Sequence, residues 1–124
     1  MVKLVFCLHR LPNLSREEFQ AYWRETHAPL VRGHAATLRI RRYVQVHTAG
    51  HPLSGVLRDS RGGPEGYDGV AELWWDSFDD LAAATSTDAG RAASLALLDD
   101  ERRFIDLARS PLFLGEEHVV VEAP

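Results

Sequence analysis

A chain of 124 residues, 45% hydrophobic and 26% charged, has the size and balance of one soluble globular domain over residues 1–124 with a modest core. Its net charge of -4, without any long run of like charge, argues against a nucleic-acid or anionic-membrane surface and for a small-molecule or protein partner. The single cysteine, Cys7, lies in the apolar run VKLVFCLH and reads as a small core residue of a reducing compartment, and no segment resembles a secretory leader or a bilayer span, so a cytoplasmic location is expected.

Residues 2 to 9 are apolar on both alternating faces, which predicts a strand covered on both sides. Leu11, Pro12 and Asn13 turn the chain, and Ser15 with Glu18 forms a capping-box pattern that starts a helix near residue 16. Phe19, Tyr22, Trp23, Thr26 and Leu30 recur at three- and four-residue spacing and predict its packing face. Pro29 offers no amide to the Glu25 carbonyl, so a kink or an end is expected there, with His27 delivered at the distal end of the helix.

LRIRRYVQVH, residues 38 to 47, alternates as a second strand. Leu38, Ile40, Val44 and Val46 are expected to pack on helices, and Arg39, Arg41, Tyr43, Gln45 and His47 to share an open polar face. A glycine- and proline-rich loop follows over about 48–68, as a lid or a passive connection. GVAELWW predicts a third strand over 69 to 75, Ser77 and Asp80 cap a short helix over 78 to about 86, and Leu97, Glu101, Phe104, Ile105 and Ala108 mark the stripe of a further helix. LFLGEEHVVVE reads as a last strand, with Gly115 as a bulge.

This order is that of a ferredoxin-like α+β fold, a four-stranded antiparallel sheet with helices on one face. An open face carrying Tyr43, one of Trp74 and Trp75, and several valines is too apolar to stay wet, so two copies are expected to pair sheet to sheet as a homodimer.

LSREEFQAYWRETHAPLV, YDGVAELWWDS and DDERRFID, followed by a late Glu-Glu-His strand, together resemble the EthD-domain family of dimeric α+β barrels across nearly the whole chain. The resemblance implies a ligand cavity in the sheet-to-helix space or in the shared barrel. It also implies chemistry without metal or organic cofactor, as in the similar lactone methylisomerases and the fungal polyketide decarboxylases and dehydratases. Other members accompany oxidative degradation systems, so fold alone does not select a reaction.

His27 matches the histidine of the family's His-Ala-Pro-Leu motif, which the resemblance makes the proton-transfer residue. An imidazole in that role contributes about 10²- to 10⁴-fold in rate, whereas as a helix-end cap it contributes about 0.3–1 kcal/mol. Tyr43, Gln45 and His47 offer a phenol, an amide and a second imidazole to an oxygenated ring, or simply form the polar face of a strand. Arg39 and Arg41 are expected either to clamp a carboxylate or to pair with Glu72, whose carboxyl in an apolar strand needs a partner. One of Trp74 and Trp75 is expected to wall the barrel.

Asp100, Phe104 and Asp106 match the family's Asp and Phe-Asp pattern and read as docking residues. No metal site is expected, because His27 and His34 stand about 10 Å apart along a continuous helix and the other histidines do not converge. Two functions follow: a cofactor-free enzyme acting on a small oxygenated cyclic or aromatic compound by histidine proton transfer, whether as isomerase, decarboxylase, dehydratase, cyclase or oxygenase, or a non-catalytic accessory that binds such a molecule.

Overall fold

A computed structural model describes all 124 residues. Strand β1 (Val2–Leu8) leads to helix α1 (Arg16–Tyr22), whose start is fixed by a reciprocal cap. Ser15 Oγ accepts from the Glu18 amide at 3.0 Å, and Glu18 Oε1 accepts from the Ser15 amide at 2.9 Å. The helix does not end at Pro29. It widens into a π-helical turn over Trp23–His27, where the Ala28 amide donates to the Trp23 carbonyl, and continues as α2 (Ala28–His34). The proline's missing amide is absorbed by this change of register. The register also changes the packing face: Phe19, Trp23, His27 and Val31 are buried in a row, while Thr26, expected inside, is exposed.

Strand β2 (Arg42–His47), helix α3 (Pro52–Asp59), strand β3 (Gly69–Trp75), helices α4 (Phe78–Ala84) and α5 (Asp88–Glu101) and strand β4 (Leu112–Glu116) complete the chain. The sheet order is β2-β3-β1-β4 with every pair antiparallel, and the helices α1, α2, α4 and α5 pack against it to give a ferredoxin-like α+β fold. The register runs unbroken through Gly115, which faces Lys3, so the expected bulge is absent.

Three expectations need correction. The second strand begins at Arg42; residues 35 to 39 form a turn in which Arg39 takes a left-handed φ of 58°, and residues 40 and 41 lead from it into the strand. The 48–68 segment contains α3, started by Pro52 and capped by His51, with Leu53, Val56 and Leu57 exposed. The last helix runs from Asp88 to Glu101, and residues beyond it turn and enter a short 3₁₀ segment at Leu107–Arg109.

The main core joins Leu8 and Ala71 of the sheet to Phe19, Trp23, Phe104 and Ile105. Close approach there depends on Gly69, since a Cβ at that position would lie 2.4 Å from a ring carbon of Trp23. Asp68 pins the loop before α1 to the start of β3 through Arg10 Nη1 at 2.6 Å, the Arg10 amide at 2.8 Å and Arg16 Nε at 3.1 Å. Burial alone would raise its pKa, but these donors hold it below the ordinary carboxylate value.

Candidate functional site

The π-helical turn directs His27 inward, where it is 4% exposed and its ring lies 5.0 Å from that of Phe104. His27 Nδ1 meets Asp100 Oδ2 at 2.7 Å, and Tyr22 donates its hydroxyl to Asp100 Oδ1 at 2.6 Å. Arg103 reaches the same Oδ1 at 3.4 Å. Burial pushes the Asp100 carboxyl up, but Tyr22, His27 and Arg103 outweigh it and keep it below the usual carboxylate range. Burial pushes the His27 pKa below 6.5 against the pull of Asp100. The pair at neutral pH is therefore a neutral imidazole beside an ionised carboxylate. Its Nδ1–H donates to Asp100, and Nε2 keeps its lone pair.

Tyr43, Gln45 and His47 form a hydrogen-bonded row, but on the face of the sheet opposite to the one expected. They point toward the helices, while Arg42, Val44 and Val46 occupy the open face. The reason is Trp23: its carbonyl accepts from Gln45 Nε2 at 3.0 Å, and its ring stacks 4.5 Å from that of His47. Gln45 Nε2 also donates to the Tyr43 hydroxyl oxygen at 2.8 Å, while Gln45 Oε1 accepts from His47 Nε2 at 2.8 Å. These bonds leave the Tyr43 proton free to donate elsewhere and leave His47 Nδ1 buried without a partner. Burial raises the Tyr43 pKa and, with the Arg24 charge, lowers that of His47, so both side chains are neutral near pH 7.

Glu72 and Trp74 are not brought to this row; they lie on the open face. Lys3 Nζ pairs with Glu72 at 2.8 Å, in place of the expected arginines, since Arg39 pairs with Asp80 and Arg41 lies near Asp76. Lys3 Nζ and Arg42 Cζ also stand 4.9 and 4.6 Å from the Trp74 ring centre, and Glu117 accepts from its indole N–H. Trp75 faces the helices and donates to the Leu38 carbonyl at 2.7 Å.

Between sheet and helices lies an apolar cleft of about 220 Å³, walled by Leu4, Phe6, Leu73, Trp75 and Leu97, with Glu101 among its few polar residues. A cleft of about 270 Å³ between α2 and β2 is flanked instead by Arg32, Arg41 and Arg42. No group of three or more His, Cys, Asp or Glu side chains is arranged to hold a metal ion. No helix is long and apolar enough to cross a membrane.

The EthD-domain family model matches residues 11–108. The chain belongs to the EthD-domain family. An EthD family protein of Bacillus halodurans is 26% identical, with a TM-score of 0.62 over 95% of this chain and 99% of the other. A dimeric ferredoxin-like protein of Bacteroides fragilis is 13% identical, with a TM-score of 0.58 over 94% and 95%. SnoaB, a cofactor-independent oxygenase of Streptomyces nogalater, is 16% identical, with a TM-score of 0.53 over 98% and 97%. No curated protein matches the chain.

Within this EthD domain, Asp100 docks α5 on the opening helix, as expected, through Tyr22 and His27, and the motif reading did not foresee that it would meet the motif histidine. Glu101, read only as one member of a helical stripe, carries its carboxyl at the cleft. The signal was present: a carboxylate on a stripe of Leu97 and Phe104 is as costly as one inside an apolar strand, the argument applied to Glu72.

Proposed function

We propose that this EthD domain is a cofactor-independent enzyme that acts on a small oxygenated cyclic or aromatic compound, with His27 as the proton-transfer residue. The observation that carries the reading is the 2.7 Å bond from Asp100 to His27 Nδ1, which fixes the tautomer and leaves Nε2 as a base. Asp100 orients the ring and stabilises the imidazolium formed when Nε2 takes a proton from a carbon or phenolic acid of the substrate. The electron pair left behind becomes an enolate, from which isomerisation, decarboxylation, dehydration, cyclisation or reaction with oxygen proceeds. Tyr43 donates its free proton to the enolate oxygen, with Gln45 and His47 holding the phenol in place. The likeness to a cofactor-independent oxygenase supports the class of chemistry.

The working assembly is a homodimer in which the open sheet faces pair, and Glu72 and Trp74 then line the space between them. Half-exposed Val44 and the exposed Val46 and Phe113 on that face, together with dimeric ferredoxin-like neighbours, support it. A single monomeric species by sedimentation would overturn the assembly.

The test of the chemistry is a mass-resolved assay of lactone, phenol, naphthol and anthrone substrates with wild type and His27→Ala. Turnover lost in a folded His27→Ala protein supports the assignment, and unchanged turnover refutes it. Binding without conversion in both proteins would favour the accessory role, for which Asp100 serves only to dock Tyr22, His27 and Arg103 together.

A further inference from the structure

We infer that Glu101 is the polar contact that selects the ligand of the apolar cleft, as a protonated carboxyl that donates to the carbonyl oxygen of a small uncharged ring ketone. The inference deepens the proposed function and rests on it for the reaction, but not for the binding.

Glu101 ends α5 at a cleft whose other walls are mostly leucine, isoleucine, phenylalanine and tryptophan. Its carboxyl makes no hydrogen bond or ion pair within the protein. Its charged neighbour, Asp100, has its own oxygens engaged by Tyr22, His27 and Arg103. β2 brings the neutral Tyr43 phenol near enough to feel the Glu101 charge. β1, β3, β4 and α4 present only uncharged side chains to the cleft, and no lysine or arginine lines it. An unpaired carboxylate in such surroundings is costly, so the group holds its proton instead, and burial with the Asp100 charge pushes its pKa up to about 7.

A neutral carboxyl in an apolar wall complements one acceptor oxygen. A carboxylate or phosphate ligand meets no cation here. The volume of about 220 Å³ falls below the roughly 300–1,000 Å³ of pockets that take drug-sized molecules, which limits the ligand to one or two fused rings. A ring ketone with a proton next to its carbonyl is also a substrate from which the proposed function draws its enolate.

The probe is 1-tetralone, titrated by calorimetry from about pH 5 to about pH 9 into wild type and Glu101→Gln. Wild-type affinity is expected to be constant below about pH 7 and to fall about tenfold per pH unit above it. Glu101→Gln, isosteric and still a donor, is expected to bind with a flat profile. A flat wild-type profile, the same slope in Glu101→Gln, or no binding of tetralone overturns the inference. Unchanged turnover in His27→Ala would refute only the proton-transfer assignment, because the tetralone profile does not depend on it.

Discussion

Replacing Glu101 by glutamine should make the protein more stable in alkali relative to wild type, by an amount set by the cleft. The Glu101 pKa rises from 4.5 to about 7, first through burial among apolar side chains and then through the Asp100 charge. A group with its folded pKa raised contributes stability that is fully present below the unfolded pKa and is lost as pH rises through the folded one. Here the loss runs from pH 4.5 to about 7, a window that at about 1.36 kcal/mol per pH unit amounts to about 3 kcal/mol. Glutamine has no proton to lose, so the difference in unfolding free energy between the two proteins should change by about 2–3 kcal/mol from about pH 5 to about pH 8.

His27 runs the other way, because its folded pKa is lowered: stability is complete above 6.5 and falls as acid protonates the unfolded chain. That slope is common to both proteins and cancels in the comparison, as does that of His47. The assay is urea unfolding of both proteins at matched concentration across this range, since assembly adds a concentration-dependent contribution. Parallel curves for wild type and Glu101→Gln would refute the reasoning, and with it the picture of a protonated carboxyl in the cleft.

Asp100→Asn leaves one good acceptor for the two donors Tyr22 and His27, and should cost about 1.5–3 kcal/mol in thermal or urea unfolding. The His27 pKa should fall further in that variant, read by NMR titration, because Asp100 is what opposes burial. Gly69→Ala drives a Cβ to 2.4 Å from the Trp23 ring and should cost about 1–3 kcal/mol with altered tryptophan fluorescence; an unchanged melting temperature would refute the close contact. Val44→Asp, placed opposite Glu72 on the open face, should convert the proposed homodimer to monomer by sedimentation while the helical circular dichroism is kept.

Elements with local signals were legible: the capping box before α1, the strand GVAELWW and the Ser77 cap of α4 all stand where the residues place them. β2 was inverted for a specific reason. The alternation that put its apolar face on the helices counted Leu38 and Ile40, which lie in and just after a turn with Arg39 at φ 58° and carry no strand periodicity. On the strand itself Arg42, Val44 and Val46 oppose Tyr43, Gln45 and His47, and three residues a side do not decide the matter. The decision comes from a long-range partner, the Trp23 carbonyl and ring. α3 was hidden in a similar way, since its apolar residues are exposed and pack on no core that would give the period meaning.

The opening helix shows how one backbone device sets the whole site. In an ideal α-helix each four-residue step overshoots a full turn by about 40°, so residues 19, 23, 27 and 31 would drift through about 120° and leave a single packing face. All four are nonetheless buried, at 0%, 1%, 4% and 3% exposure, because the π-helical turn over Trp23–His27 rotates less per residue and cancels part of the drift. The same turn holds the Trp23 carbonyl where Gln45 can reach it and brings His27 to Asp100. The proline after His27 therefore does more than mark the end of a pattern. It disfavours the ordinary register at the one place where a wider one points an imidazole into the interior, and so links a sequence signal for disruption to the placement of His27.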